Sequence, residues 1–282
     1  MSTAVRIAYG DFGRVALLNM DRSLVRHAHP HCHVLLKVEG ADTAFEVGDA
    51  LVPLTDTRAV LVNAWEPHAY VHVPQRATTV ILALYIEPHW LKLLHRSWAA
   101  SSAPGFFEAP TGEVTPRIRT LAMELAAGMV HDPSGRAAHE ELLSELMIST
   151  IERFAQWRPR ATLSPLAQAD KHRVDWRIRR ALDVIRREPR GMTMDHVAKE
   201  AGLSRSHFYR LFQRSLDVSP QVYMNVFRME LAVKSIVDSS DSLSAVSGAL
   251  GFSAPSHFTR FFREHAGVKP SEFRFVTKMG LA

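Results

Sequence analysis

Hydrophobic and polar positions change period along this chain, from strand-like to helical. Over residues 5–90 they fall into short apolar or alternating runs: Val34–Val38, Thr43–Val47, Ala59–Val62, Tyr70–Val73 and Thr79–Ile86. Such runs are the pattern of strands. Gly40, Gly48–Asp49, Pro53, Pro67 and Pro74 separate them as turn formers. Many short strands at close spacing favour a sandwich or barrel over a parallel sheet. Beyond residue 113 the period becomes helical. Ile118, Leu121, Leu125 and Met129 mark one amphipathic helix over 114–130, and Leu142, Leu143, Leu146, Met147, Ile151 and Phe154 a second over 136–157. The pair either closes the N-terminal core or forms a dimer interface, because an apolar stripe packs on a partner copy as readily as on a sheet.

Residues 158–172 carry two prolines and no sustained period, which predicts a linker. From Val174 to Lys278 the chain reads as almost entirely helical, and it repeats itself. Val197, Gly202 and Ser204 match Val246, Gly251 and Ser253 at an offset of 49; after a one-residue insertion, Ser206, His207, Phe208, Arg210, Phe212, Val218 and Pro220 match Ser256, His257, Phe258, Arg260, Phe262, Val268 and Pro270 at an offset of 50. One supersecondary unit is therefore present twice. In each copy a short helix (Met194–Ala201; Ser244–Ala249) ends at a glycine, Gly202 or Gly251, suited to a left-handed C-terminal position. A serine, Ser204 or Ser253, is then placed to cap a second helix. That helix would bury Phe208, Leu211 and Phe212 in copy one and Phe258, Phe261 and Phe262 in copy two.

Helix, glycine turn and capped helix form the helix-turn-helix plan, whose second helix enters a DNA major groove. The faces turned away from the core carry Arg205, Ser206, Tyr209, Arg210 and Gln213 in copy one, and Ala254, Pro255, Ser256, Thr259 and Arg260 in copy two. Arginine can hold guanine through two bonds, and Ser or Thr can reach base edges or phosphate. A long helix over Pro220–Asp238, with Val222, Val226, Met229, Val233 and Ile236 inward, joins the copies. If it holds them rigidly, two recognition helices enter successive major grooves about 34 Å apart.

Charge agrees with a polyanionic partner for this half. Residues 1–169 carry 15 Lys+Arg against 17 Asp+Glu, and residues 170–282 carry 19 against 12, so the excess of cations is confined to the C-terminal part. With 46% hydrophobic residues the chain has material for sizeable cores, which excludes global disorder. The single cysteine, Cys32, excludes an intramolecular disulfide and a cysteine-based zinc finger. No apolar run approaches the roughly 20 residues of a membrane span, and no leader pattern is legible at the N-terminus, so a cytoplasmic protein without membrane contact is expected.

These residues resemble the AraC/XylS family of bacterial transcription regulators. The most specific part is the tail ALGFSAPSHFTRFFREHAGVKPSEFR, residues 249–274. The resemblance places base-reading positions on Ser206, Tyr209 and Arg210, and on Pro255, Ser256, Thr259 and Arg260. Because Pro255 donates no hydrogen bond, the second unit would lean on phosphate contacts and DNA shape. RHAHPHCHVLLKVEG, residues 26–40, and LVNAWEPHAY, residues 61–70, are similar to the first two motifs of the cupin-type sensing barrel of such regulators. Asn63, Ala64 and Trp65 stand where that barrel has Pro-x-Gly. The implied fold is α+β in two domains: a cupin-like β-barrel with a helix pair (1–157, sensing and dimerisation), a linker (158–172), and an all-α domain with two helix-turn-helix units (173–282).

His27, His29, His31 and His33 share strand parity and would point to one face if the strand is regular; His68 and His72 share a parity on a later strand. Converging imidazoles can bind a metal, line a ligand pocket or simply fill structure. Glu39 and Glu66, the nearest carboxylates, are not at the spacing of a cupin metalloenzyme. Cys32, of opposite parity, reads as a small residue and not a ligand. The expectation is a sequence-specific DNA-binding regulator, an activator by family habit, controlled by a small-molecule effector bound near His27, His29, His31, His33 and His68. It is expected to be no enzyme and to need no cofactor or resident metal. Promoter DNA, an unidentified effector, RNA polymerase and a second copy of the chain are the implied partners. The competing readings are a cupin metalloenzyme or a metal-sensing regulator built on the histidine cluster.

Overall fold

The structure is a computed structural model that describes residues 3–73, 77–94, 98, 101, 105–132, 136–155, 175–187, 192–216 and 218–279. The predicted linker, 158–172, lies outside them. By backbone contacts the chain divides into two compact units, Met1–Gln156 with Thr259–Ala282, and Trp157–Phe258.

The first unit holds nine described strands: β1 (Thr3–Gly10), β2 (Gly13–Met20), β3 (Cys32–Gly40), β4 (Thr43–Val47), β5 (Ala50–Leu54), β6 (Arg58–Val62), β7 (His68–Val71), β8 (Thr79–Ile86) and β9 (Thr111–Glu113). They form a six-stranded sheet, ordered β1-β2-β8-β3-β6-β9, and a three-stranded sheet, β5-β4-β7. All pairings are antiparallel. The expected closed barrel is not formed by the described strands. The reason lies at β6: its free edge is taken by β9, through Arg58↔Glu113 to Val60↔Thr111, so no strand of the small sheet pairs there.

The period of two along β3 decides which side chains go where. Cys32, Val34 and Leu36 turn to one face, where they join Leu82, Leu84 and Ile86 of β8 in a single apolar cluster. The intervening His33 faces the other way, its ring 4.5 Å from that of His68 on β7 of the small sheet. The apolar face is covered by α2 (Pro116–His131) and α3 (Arg136–Phe154), which follow α1 (Pro88–Leu94). Ile118, Leu121, Leu125 and Met129 of α2 and Leu143, Leu146, Met147 and Ile151 of α3 all lie in the cluster. The stripes read as core or dimer interface are thus used as core within the chain. Each fully buried aliphatic side chain there contributes about 1.5–3 kcal/mol. Pro116 opens α2, and the Thr115 hydroxyl accepts from the Ile118 amide at 3.2 Å.

The second unit contains α4 (Trp176–Arg187), α5 (Met194–Glu200), α6 (Arg205–Leu216), α7 (Pro220–Asp238), α8 (Leu243–Ala249) and the start of α9 (Pro255–Ala266). The joining helix has the predicted bounds. Its buried side includes Tyr223, Met224, Val226, Met229, Val233 and Ile236, while Val222 is only half-buried. The last helix, α10 (Pro270–Met279), packs on β1 within the first unit: Glu272 Oε1 accepts from the Ala4 amide at 3.1 Å, and Phe273 meets Tyr9 edge to face. No described helix is long and apolar enough to cross a membrane.

Candidate functional site

The helix-turn-helix copies are built from local sequence. At Gly202 (φ 69°) and Gly251 (φ 76°) the chain is left-handed, which glycine adopts without a Cβ clash. Both turns close in the same way. Leu203 N donates to Ala198 O at 2.9 Å, and Phe252 N to Ser247 O at 3.1 Å. This satisfies helix-end carbonyls in the manner of a Schellman motif. Phe208 and Phe212 in α6, and Phe258 and Phe262 in α9, are buried. Leu211 and Phe261, expected beside them, are only half-buried, and Phe261 stacks on His265 with ring centroids 4.2 Å apart.

The caps differ between copies. Ser204 directly precedes α6, and its hydroxyl accepts from the His207 amide at 3.4 Å. The inserted residue sets Ser253 one position too early, with Ala254 directly before α9. The Ser253 hydroxyl bonds the His257 ring nitrogen at 2.8 Å and is not the backbone cap expected of it.

The opposite faces hold the residues expected to read DNA. Arg205, Ser206, Arg210 and Gln213 are exposed on α6, with Tyr209 half-buried. Pro255, Ser256 and Arg260 are exposed on α9, with Thr259 half-buried. Arg205 is engaged: its Nη1 donates to both oxygens of Asp195, in the first turn of α5, at 3.1 Å. Both partners are well exposed, so the pair orients more than it stabilises.

The histidine site is built from separated segments. His27 and His68 form an antiparallel bridge, exchanging amide bonds at 2.9 and 2.8 Å. The turn before His68 is held by Glu66 Oε2, which accepts from the Asn63 amide at 2.9 Å and side chain at 3.0 Å. Trp65, in the position of the motif's glycine, nonetheless keeps a left-handed backbone, φ 65°. A bulky residue there carries strain of about 1–3 kcal/mol. Its amide donates to the His29 carbonyl at 2.7 Å, which fixes the third segment.

His27, His29, His33 and His68 are all buried and in ring contact, with centroids 4.5 Å apart for His27–His68 and His33–His68 and 4.9 Å for His27–His29. Tyr85 of β8 packs edge-on against His29 at 5.0 Å and, tilted, against His33 at the same distance; the Arg14 guanidinium lies 3.6 Å above its ring centroid. His265 on α9 borders the group, 6.2 Å from His27. His31 does not join it. β3 begins only at Cys32, so the preceding segment is not a regular strand, and the His31 ring pairs instead with Glu87 at 3.2 Å. His72 also lies outside, past the end of β7.

Burial, reinforced by the neighbouring imidazoles and Arg14, holds His27, His29 and His33 well below the usual imidazole range. Burial brings His68 down to about 4. All four are neutral at pH 7. Cys32 faces the apolar cluster, where burial pushes its thiol up to about 12, so it is no nucleophile. The carboxylate of Glu66 is occupied with Asn63. Among the described residues, the three-residue group whose ligand atoms approach within 4.8 Å is imidazole alone: His27, His29 and His68. Sequence reasoning missed Tyr85, Arg14 and His265, which no spacing links to the cluster.

A doubled helix-turn-helix beside a sheet-rich domain with a buried polar cluster defines a two-part DNA-binding protein. Residues 15–147 match the AraC-like ligand-binding domain, and residues 197–275 match a helix-turn-helix domain model. The chain is 33% identical to the lactose operon transcription activator of Staphylococcus xylosus over 98 residues, spanning 34% of this chain but only 35% of that protein. It is 22% identical to the probable transcriptional regulator LumQ of Photobacterium leiognathi over 262 residues, 92% of this chain and 95% of that one. In fold it is similar to an apo, singly substituted variant of ToxT from Vibrio cholerae, with a TM-score of 0.54 at 10% identity over 95% of this chain and 98% of that one. An AraC-like ligand-binding domain followed by a helix-turn-helix domain is the make-up of an AraC-type transcription regulator.

Proposed function

We propose that this chain is a sequence-specific transcription regulator that binds promoter DNA through α6 and α9 and is controlled by a small molecule at its N-terminal domain. The observation that carries the reading is the two-sided character of both helices. Each buries two phenylalanines inward and presents outward polar groups that have no partner among the described residues: Ser206, Arg210 and Gln213 on one, Ser256 and Arg260 on the other. Arg210 and Arg260 are suited to guanine, and Ser206, Tyr209, Ser256 and Thr259 to base edges or phosphate. Pro255 offers no donor, so the second copy contributes more through phosphate and shape.

The effector site in this reading is the histidine face, with His27, His29, His33 and His68 around Tyr85 and His31 at its margin. A cavity of about 60 Å³ elsewhere, lined in part by Arg6, Tyr9, Phe12, Leu125 and Met129, is far below the ~300 Å³ of an ordinary ligand pocket. Control requires the effector to bind two states of the protein with different free energy. The chain acts as a binding protein in the cytoplasm and not as an enzyme; a second copy and RNA polymerase are its further partners in this proposal.

The test is equilibrium binding of the full chain to the DNA upstream of its own gene against a scrambled duplex, followed by fluorescence anisotropy across a salt series. A preference of at least about a thousandfold for the specific duplex, with affinity falling steeply in salt, is expected. Equal affinity for both duplexes would reject the reading.

A further inference from the structure

The ring nitrogens of the histidine cluster pose a problem that the regulator reading leaves open. His29 Nε2, His68 Nε2 and both nitrogens of His33 are buried with no hydrogen-bond partner among the described residues. A buried polar atom without a partner is costly, and several together call for a ligand, water or ion. We propose that His27, His29 and His68 hold a first-row divalent transition-metal ion, with His33 beside them.

Two observations converge on this. The first is the tautomer. His27 Nδ1 lies 2.7 Å from the Val25 carbonyl and His68 Nδ1 lies 2.8 Å from the Glu66 carbonyl. A carbonyl only accepts, so each Nδ1 carries the proton and donates. Each Nε2 is then left with its lone pair free, which is how metal-ligating histidines are oriented by their outer partners. The second is placement. The three ligand atoms lie within 4.8 Å of one another. A metal–nitrogen bond of about 2.1 Å in tetrahedral geometry needs nitrogens about 3.4 Å apart, so the rings close by little more than about an ångström. The His27–His68 amide exchange and the Trp65–His29 bond already fix the three backbones.

The donor set selects the ion. Imidazole suits Zn(II), Co(II), Ni(II), Cu(II) or Fe(II), and the lack of a carboxylate in the triad disfavours Mg(II) and Ca(II). Arg14, stacked over Tyr85, adds a positive charge beside His29 and His33. It weakens the ion's hold, so a micromolar site is expected and not the tightest kind. His265 stands on the helix that carries Arg260, and its ring is 6.2 Å from that of His27, so an ion on the triad changes the charge one ring away from that helix. This regulatory consequence rests on the DNA-binding reading above; the site itself does not.

The test uses the full chain, freed of metal with a chelator. Co(II) is added and visible ligand-field absorption followed, with Zn(II) titrated by calorimetry and by thermal melting. One ion per chain is expected, with a visible band and a Tm that rises with Zn(II) concentration. His29→Gln and His68→Gln should each weaken binding by at least about tenfold, and His33→Gln by less. If the wild-type chain shows neither the band nor the Tm rise, the proposal fails whatever the variants do, and ordered water fills the site. It fails equally if both variants, folded by circular dichroism, bind Zn(II) as the wild type does. Specific DNA binding measured on the same samples separates the two readings: its loss with intact metal binding rejects the regulator and leaves the metal site.

Discussion

The two recognition helices and the histidine face use polar side chains in opposite ways. On α6 and α9 the apolar groups go inward and the polar groups outward, so Arg210 and Arg260 keep their hydration until a partner takes it. On the histidine face the polar groups go inward: four imidazoles are buried, and three of them, His29, His33 and His68, keep ring nitrogens without a partner among the described residues. The helices are stable without their ligand and acquire function by contact. The histidine face bears a standing penalty that only a ligand, water or ion removes.

The largest effects should fall on the packing beneath the helices. Phe208→Ala and Phe262→Ala each remove a side chain with no exposure and should destabilise the chain by about 3–5 kcal/mol, read by urea denaturation. A small effect at either would break the claim that the two copies share one skeleton. Next in size is the acid response of the histidine face. Its imidazoles titrate below the 6.5 of a free imidazole, His68 near 4, so the unfolded chain takes up protons first as pH falls. Stability present above about pH 6.5 is therefore lost progressively toward pH 4, on the order of 3 kcal/mol from His68 alone. Melting across that range checks it; replacing His68 by Gln should flatten the slope.

Arg210→Ala and Arg260→Ala sharpen the comparison from the other side. Each should leave stability nearly unchanged and weaken DNA binding by about 1–3 kcal/mol, with relaxed preference at one base position if it reads a base. Uniform weakening on all duplexes would make them phosphate contacts. The smallest effect separates the two copies. Ser204→Ala should cost about 0.5–1 kcal/mol through loss of its cap, and Ser253→Ala should stay within about 0.5 kcal/mol because its hydroxyl holds only the His257 ring.

The helical half was legible because its information is local. A glycine, a cap and an i, i+3, i+4 face are set within about a dozen residues, and the repeat states each of them twice. Even there one inserted residue moved Ser253 off the cap, which an alignment of identities conceals. The sheet half was legible in its strands but not in its closure. Pairing between β6 and β9 joins residues 58–60 to 111–113, a distance in sequence that no alternation records. Parity named His27, His29 and His33 correctly, but only His33 lies on the strand; His27 is placed by its bridge to His68 and His29 by the Trp65 amide. Parity failed at His31, because it holds only where the backbone is extended, and β3 starts at Cys32. Tyr85 and Arg14 join the site from strands paired in space, through Arg14↔Tyr85 and His33↔Tyr85, so only the register reveals them.

The central claim is that both recognition helices read one DNA site. The most direct measurement is the affinity of the full chain for the duplex upstream of its own gene, for wild type, Arg210→Ala, Arg260→Ala and the double variant, each against a scrambled duplex. The account predicts that both single variants lose specific affinity while binding to the scrambled duplex changes little, and that the losses combine in the double variant. A wild-type chain with no preference between the duplexes, or a specific affinity untouched by both substitutions, would contradict it.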